Sequence, residues 1–246
     1  MKAIILAAGY ATRLYPLTKD KPKALLDIAG KPIINYILDE IETVSEVDKV
    51  YVISNAKFYD AFCAWQKTLD RRIETEIVND GTTDDSNKLG AVGDISFTVD
   101  KCKIDDDLLV IAGDNIFTFK LKDYYSFFEE KNADTILVKR LNRIEDLRRM
   151  ANVETDETGR VTEMVEKPQN PKTDLAAFAS YIYKKDTLPL LKKYLEEGGN
   201  PDAPGFFPSW LHKIKPVYAY EFSGECYDIG THESYKEVNE IFEKNK

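Results

Sequence analysis

Residues 1–26 read MKAIILAAGYATRLYPLTKDKPKALL, and this stretch indicates the fold of the first half of the chain. The run KAIILAA at residues 2–8 is continuously apolar, as is typical of a strand buried on both faces of a parallel sheet. It ends in small residues around Gly9, and Arg13 and Lys23 follow close behind. Small residues after a first strand let backbone N–H groups approach a phosphate, so the stretch predicts a phosphate-binding turn.

This turn lacks two known phosphate-binding patterns. Only Gly9 is a glycine in LAAGYATR, so the dinucleotide pattern GxGxxG is absent, as is the Walker A pattern GxxxxGK[ST]. Arginine can bind a phosphate through two parallel hydrogen bonds, and lysine adds a compact charge. These residues by themselves leave three interpretations open: an ordinary strand-to-helix turn, a dinucleotide site and a triphosphate site.

Hydrophobic spacing extends the prediction outward along the chain. In the first half we predict strands at 2–8, 49–54, 73–78 and 107–115, alternating with helices at 33–43, 58–69 and 89–99. In the second half we predict strands at 135–140, 151–168 with a hairpin turn at 156–159, 176–185 and 216–222, and helices at 186–197, 206–214 and 233–246. This order predicts an α/β fold: a Rossmann-like, mostly parallel mixed sheet flanked by helices, with a small antiparallel annex.

Composition excludes several functional classes. The 246 residues carry a formal net charge of -9, which argues against a general nucleic-acid surface. Three scattered cysteines form no CxxC pair, and two histidines are too few for an ordinary zinc site. The apolar N-terminal run is too short to span a membrane and does not resemble a signal peptide. We therefore expect a cytoplasmic protein that binds neither membrane nor nucleic acid.

Residues 6–34, LAAGYATRLYPLTKDKPKALLDIAGKPII, closely resemble the signature LAxGxGTRLxPLTxxxPKxxxxxxxKPxI. That signature belongs to the nucleoside-triphosphate:sugar-1-phosphate nucleotidyltransferases, here in the short form similar to glucose-1-phosphate thymidylyltransferase. One departure is Ala11, which stands where the family usually has glycine; its methyl group fits if the backbone angle there is ordinary. The resemblance implies a nucleotide site lined by Leu6, Ala8, Gly9, Thr12, Arg13 and Lys23.

Two later motifs bring acidic residues to turns. GDN at 113–115 follows an apolar strand, and CYDIGTHESY at 226–235 contains a glycine turn. Carboxylates suit a magnesium ion, although aspartate is also common in turns. The resemblance implies that Asp114 and Asp228 are the ligands of Mg²⁺, and that Asp114 also contacts the nucleotide.

The resemblance also divides the chain by substrate. It implies a single domain, 1–246, with a nucleotide-binding half at 1–115 and a sugar-phosphate-binding half at 116–246. Asn115, together with Glu166 and Lys167 of the motif VEKP, is expected to bind the sugar phosphate, and the annex is expected to form the sugar side.

The loop NDGTTDDSNKLGAVGDI at 79–95 departs from the family pattern where the base is read. Asn79 lies near the position of the family's base-reading amide. Asn79 or Thr83 could hydrogen-bond a pyrimidine edge, but the departure leaves the base unidentified; a solvated loop with no base contact is the alternative.

The implied reaction joins a nucleoside triphosphate (NTP) to a sugar 1-phosphate and releases pyrophosphate, with Arg13, Lys23, Asp114 and Asp228 as catalytic residues. Family habit adds the expectation of a homo-oligomer. One alternative is a cytidylyltransferase for a non-sugar phosphate such as phosphocholine, whose cation an aromatic cage of Phe178, Tyr181, Tyr183 and Trp210 would hold. Another alternative, from a different class, is a non-catalytic sensor of nucleotide-sugars.

Overall fold

The structure is a computed structural model that describes residues 1–244; residues 245 and 246, the end of the predicted closing helix, lie outside the described residues. Its strands are β1 (Lys2–Leu6), β2 (Asp27–Ile28), β3 (Lys31–Pro32), β4 (Lys49–Ser54), β5 (Glu74–Asn79), β6 (Leu108–Ala112), β7 (Asn115–Phe117), β8 (Asp134–Arg140), β9 (Ala151–Thr155), β10 (Val161–Glu166), β11 (Leu175–Tyr183), β12 (Val217–Glu221) and β13 (Cys226–Asp228). The predicted α/β class, a mixed sheet flanked by helices with small antiparallel sheets, is confirmed.

The helices are α1 (Ile33–Ile41), α2 (Tyr59–Gln66), α3 (Ala91–Cys102), α4 (Leu121–Lys131), α5 (Ile144–Leu147), α6 (Leu188–Glu196), α7 (Phe206–Leu211) and α8 (His232–Lys244). Sequence reasoning missed α4, although Leu121, Tyr124 and Phe128 are fully buried at helical spacing. The polar residues between them obscured that spacing. No helix within residues 1–244 combines the length and the apolar composition that a membrane span requires.

The chain separates into two compact units made of interleaved segments. The N-terminal unit contains residues 2–88, 112–122 and the described chain from 224 onward, and the central unit contains Met1, Leu89–Ile111 and Asp123–Ser223. The division into substrate halves at residue 115 stays a prediction.

In the N-terminal unit, β1, β4 and β5 are parallel neighbours, with Ile4 beside Tyr51 and Val52 beside Ile77. Ala3, Ile4 and Ile5 of β1 are fully buried, as the continuous apolar run predicts. A second apolar cluster joins the segment after the first turn to α1, β7 and α8 through Leu14, Leu26, Ile28, Ala29, Ile33, Ile116, Ile229 and Val238. This cluster holds the turn that follows β1 against later parts of the same unit.

In the central unit, β11 is the hub of the sheet. It pairs antiparallel with β8 along one edge and with β9 and β6 along the other, and β12 adds to β8 in parallel. The β9–β10 hairpin confirms the predicted turn at 156–159, where Gly159 has φ +81°. The Asp156 carboxylate accepts hydrogen bonds from the Thr158 and Arg160 backbone N–H groups, which closes this turn.

Candidate functional site

A buried asparagine that sequence reasoning missed supports the turn after β1. Asn55 directly follows β4 and is fully buried. Its side-chain amide donates to the Ala8 carbonyl at 2.8 Å and accepts from the Phe58 N–H at 3.0 Å. A polar residue at the end of a buried strand was the signal that could have found it. Gly9 in this turn is exposed, and a Cβ built on it would meet no atom within 4 Å. The backbone of the turn is therefore accessible to a ligand.

The chain then reverses at Ala11, which has φ 47° and ψ 42°. The backbone angle at Ala11 is therefore not an ordinary one, and the alanine is strained, because left-handed backbone disfavours a Cβ. The Ala11 carbonyl accepts hydrogen bonds from the Leu14 N–H at 3.0 Å and the Thr18 hydroxyl at 2.7 Å. The resulting 3-10 turn, Thr12–Leu14, buries Leu14 and leaves Thr12 and Arg13 exposed.

Asp114 reaches the same region because a glycine precedes it. The Gly113 N–H donates to the Leu6 carbonyl at 2.9 Å, beside the end of β1. A Cβ on Gly113 would lie 2.7 Å from that carbonyl oxygen, closer than real Cβ contacts allow. Gly113 thus permits the close approach that sets Asp114 beside the turn.

Asp228 is brought to Asp114 by strand pairing. Strands β13 and β7 form an antiparallel ladder in which Asp228 lies opposite Asn115. The next N–H along the chain, that of Ile229, donates to the Asp114 carbonyl at 3.2 Å. The structure thus brings together the two aspartates that the sequence singled out.

Lys23 lies between these two carboxylates. Its Nζ is 2.7 Å from Asp114 Oδ2 and 3.7 Å from Asp228 Oδ1, and its side chain is 13% exposed. Desolvation and the like charge of Asp114 raise the pKa of Asp228, and the cations of Lys23 and Arg13 oppose that rise. Because 73% of the Asp228 side chain is accessible, we attribute the raised pKa mainly to repulsion from Asp114.

This arrangement can bind anions and a hard cation together. Mg²⁺ in proteins is commonly held by one or two carboxylates and completes its octahedron with water and substrate phosphates. Residues 1–244 contain no cluster of three or more His, Cys, Asp or Glu side chains that could hold a metal on their own. The carboxylates of Asp114 and Asp228 are the kind of donors that Mg²⁺ takes when it also binds a phosphate.

The predicted base-reading residues make local hydrogen bonds. Asn79 Oδ1 accepts from the Gly81 N–H at 2.8 Å. The Thr83 N–H donates to Asn87 Oδ1 at 3.1 Å, and the Thr83 hydroxyl accepts from Asn87 Nδ2 at 3.1 Å. These bonds shape the loop and occupy part of the hydrogen-bonding capacity that a base would use.

A buried hydrogen-bond chain that the sequence did not suggest links this loop to the phosphate turn. The Thr82 hydroxyl lies 2.8 Å from Asp80 Oδ1 and 3.1 Å from the Tyr10 hydroxyl. Since threonine has one hydroxyl proton and an ionised carboxylate only accepts, Thr82 donates to Asp80 and Tyr10 donates to Thr82. Tyr10 and Thr82 are 6% and 5% exposed, so Tyr10 ties the loop at 79–88 to the turn after β1.

Glu166 and Lys167 lie in the central unit, at the end of β10. Lys167 has φ 48°, and this sharp backbone turn separates the two side chains: Glu166 is 7% exposed and Lys167 is 52% exposed. Their charged groups are 3.8 Å apart. Burial raises the pKa of Glu166, and the Lys167 ammonium partly offsets that effect.

The aromatic cage expected for a choline cation is not formed. Phe178, Tyr181 and Tyr183 belong to β11 and are 8%, 2% and 0% exposed, and the two tyrosine rings stack with centroids 5.8 Å apart. Trp210 is half-buried and packs against Phe207. Three of the four rings are core residues, so they cannot surround a cation.

A cavity of about 830 Å³ in the central unit contains none of the predicted site residues. It is lined by α3, α6 and the segments beside them. Two of its lysines pair with its own aspartates, Lys184 with Asp107 at 2.8 Å and Lys185 with Asp105 at 2.7 Å. The predicted site residues therefore lie outside this cavity.

Comparisons with known proteins identify the family to which the chain belongs. The family model described as Nucleotidyl transferase matches residues 2–245. The Bifunctional protein GlmU of Methanocaldococcus jannaschii is 31% identical over 94% of this chain and 51% of its own length. The glucose-1-phosphate adenylyltransferase of Desulfitobacterium hafniense is 29% identical over 96% of this chain and 63% of its own length. The chain thus spans about half to two thirds of these curated relatives.

Solved structures show the same fold. A crystal structure of UDP-glucose pyrophosphorylase complexed with UDP-glucose superposes with a TM-score of 0.86 at 22% identity, covering 100% of this chain and 99% of that chain. At 22% identity this similarity shows only that the two folds are alike. The family match extends over nearly the whole chain, and the predicted motifs lie within it. The chain belongs to the nucleotidyl transferase family.

Proposed function

We propose that the protein transfers a nucleotidyl group from an NTP to a sugar 1-phosphate, giving an NDP-sugar and pyrophosphate. The observation that carries the proposal is the cluster of Lys23, Asp114 and Asp228 beside the small-residue turn after β1. Such a cluster suits a magnesium-bound triphosphate. The relatives' names, which include glucose-1-phosphate adenylyltransferase, support a sugar 1-phosphate as the second substrate.

The chemistry requires no protein nucleophile. An oxygen of the sugar phosphate, already ionised at neutral pH, forms a bond to the α-phosphorus, and the bond from that phosphorus to the β-phosphate oxygen breaks. Pyrophosphate leaves with the electron pair. Catalysis then depends on in-line positioning and on stabilising negative charge.

The N-terminal unit supplies the charges for this step. Arg13, exposed on its 3-10 turn, binds the leaving pyrophosphate, and Lys23 binds the α-phosphate region. Asp114 and Asp228 would hold Mg²⁺, which would supply Lewis-acid chemistry. The backbone around Leu6, Ala8, Gly9 and Thr12 contacts the nucleotide.

Asn115, Glu166 and Lys167 bind the sugar phosphate. A buried carboxylate such as that of Glu166 suits acceptance of hydrogen bonds from sugar hydroxyls, and an exposed ammonium such as that of Lys167 suits a phosphate. Asn79 and Thr83 are the proposed base contacts. Because their side chains also shape the loop, the identity of the base is left to experiment.

The test is a panel of ATP, CTP, GTP, UTP and dTTP against sugar 1-phosphates and phosphocholine, read as pyrophosphate release. We expect release with at least one sugar 1-phosphate, and a loss of about a hundredfold or more in Asp114→Asn and Asp228→Asn. Asp48→Asn is the matched control, because Asp48 belongs to the same unit and makes an ion pair with Lys2 away from the site. Nucleotide binding without release would indicate the sensor, and release with phosphocholine alone would indicate the cytidylyltransferase.

We also propose a cytoplasmic location and a homo-oligomeric state without nucleic acid or membrane partners. The net charge of -9 supports the exclusion of nucleic acid. Cell fractionation tests the location, and light scattering coupled to size-exclusion chromatography tests the assembly. Recovery in the membrane fraction or a monomer at micromolar concentration would contradict these two proposals.

A further inference from the structure

Gly205, the residue before α7, is a glycine that its backbone does not require. Its φ of -70° and ψ of -15° are right-handed helical angles that any residue adopts. Glycine at such a position loses more conformational entropy on folding than alanine does, so its presence calls for another reason. The helix-capping preference for small polar residues does not supply that reason, since serine or threonine would also serve there.

The reason lies in the space beside it. A Cβ built on Gly205 would lie 1.9 Å from Glu166 Oε2 and 3.0 Å from Glu166 Cδ. The Ala151 Cβ, 3.5 Å away, borders the same space. The Glu166 carboxylate therefore fills the volume that any side chain at position 205 would need.

The carboxylate makes few polar contacts. Among the described residues, the Lys167 ammonium at 3.8 Å is its polar partner, and that lysine is itself half exposed. A long ion pair to an exposed side chain does not by itself fix the direction of a carboxylate. The space left open at Gly205 therefore permits the direction in which the two oxygens of Glu166 point.

We propose that Gly205 is a positioning residue for Glu166, and that its missing side chain forms the notch in which that carboxylate is held to receive the sugar hydroxyls. This inference rests on the proposed function, in which Glu166 binds the sugar. Because the obstructed group is the end of a flexible side chain, a methyl group at 205 turns the carboxylate aside and leaves the fold intact.

The experiment compares Gly205→Ala, Glu166→Ala and the double variant, using the substrate pair that the panel identifies. We expect Gly205→Ala to raise KM for the sugar phosphate roughly tenfold or more, as for loss of a hydrogen bond to a charged group, with KM for the NTP unchanged. In the Glu166→Ala background, Gly205→Ala should have no further effect on either KM. Glu196→Ala, which truncates an exposed glutamate on α6 of the same unit, is the control and should leave both KM values unchanged.

The outcomes separate the two proposals. If Glu166→Ala impairs sugar-phosphate binding and Gly205→Ala does not, the notch is refuted and the proposed role of Glu166 stands. If Glu166→Ala has no effect, the role of Glu166 fails and the notch fails with it. If Gly205→Ala does not fold, the notch requires that Gly205→Ala/Glu166→Ala folds, because the obstructing carboxylate is gone; an unfolded double variant overturns the inference.

Discussion

Ala11 shows how one residue can carry strain at the turn that presents Arg13. Its left-handed backbone brings its carbonyl within reach of both the Leu14 N–H and the Thr18 hydroxyl. Thr18 is fully buried, so its hydroxyl depends on this bond. The geometry is therefore kept although the residue is alanine, and the strain is offset by the bonds that surround it.

Ala11→Gly should stabilise the protein. Left-handed backbone costs an L-residue about 1–2 kcal/mol, and part of the gain is lost to the greater entropy of glycine in the unfolded chain, so we expect a net gain of roughly 0.5–1 kcal/mol. Urea denaturation measures it. Ala24→Gly, in a 3-10 turn without positive φ, should instead destabilise; a loss of stability in Ala11→Gly would contradict the strain.

Glu166 gives a pH-dependent prediction. Burial raises its pKa above the ordinary value of 4.5, so the folded state holds the proton more tightly than the unfolded state does. Stability should then fall as pH rises from the unfolded pKa through the higher folded pKa. Glu166→Gln removes this penalty, and its gain in thermal midpoint should be larger at pH 8 than at pH 4. Equal gains at both pH values would show that the buried carboxylate carries no such penalty.

At the scale of elements, β8 begins on a fully buried charge. Asp134 accepts hydrogen bonds from the Lys184 N–H and the Thr187 hydroxyl, both at 2.8 Å, and its carboxylate lies 3.1 Å from Lys215 Nζ. These partners come from the end of β11, the start of α6 and the segment before β12. One carboxylate thus ties the start of β8 to the end of β11 and to the segments that lead into α6 and β12.

Lys215→Met should be strongly destabilising, by about 3–5 kcal/mol, because it leaves the buried Asp134 without a compensating charge. Lys185→Met is the matched control: its ion pair with Asp105 is exposed, and its loss should cost less than about 1 kcal/mol. Chemical denaturation at neutral pH measures both. Similar costs for the two variants would show that Asp134 does not depend on Lys215.

Tyr10→Phe tests the link between the phosphate turn and the loop at 79–88. It removes the hydroxyl that donates to Thr82 and should cost about 1 kcal/mol. We expect faster hydrogen exchange in that loop and a higher KM for the NTP, with KM for the sugar phosphate unchanged. Tyr36→Phe, whose hydroxyl bonds the Ile28 carbonyl in the same unit, is the control for a lost tyrosine hydroxyl. Unchanged exchange in the loop would mean that Tyr10 does not restrain it.

At the scale of the whole molecule, charge gives the proposed metal a central part in ligand binding. The chain carries a net charge of -9, and both proposed substrates are anions. Two carboxylates at the site add local repulsion that Lys23 offsets only in part. A divalent cation would make the net charge at the site favourable for binding anions.

Thermal stability should therefore respond to NTP and Mg²⁺ together. At a hundredfold excess over Kd, ligand binding contributes about 2.7 kcal/mol, which for a chain of this size raises the melting temperature by about 5–10 °C. With EDTA the shift from NTP should be much smaller. Asp114→Asn should lose the magnesium-dependent part of the shift, and equal shifts with and without Mg²⁺ would contradict the proposed ligands.

Much of the fold was predictable from local signals, and the family resemblance named the charged residues that the structure brings together. Hydrophobic period and turn residues located β1, β4, the hairpin and most helices, because these depend on neighbours in sequence. Interrupted patterns hid α4, and short pairings hid β7 and β13. The motif order singled out Lys23, Asp114 and Asp228.

The amino-acid sequence by itself determined the alternation of strands and helices, the small-residue turn after β1 and the charged residues that follow it. Only the tertiary structure decided which of those residues meet. Lys23 and Asp114 are 91 positions apart, and Asp228 joins them through a strand ladder. The conformation of Ala11, the support from Asn55 and the notch at Gly205 were likewise decided there. The physical reason is that hydrophobic periodicity and turn preferences act between residues that are near neighbours in sequence. Close contacts between residues far apart in sequence depend instead on whether the backbone of one segment leaves space for the other.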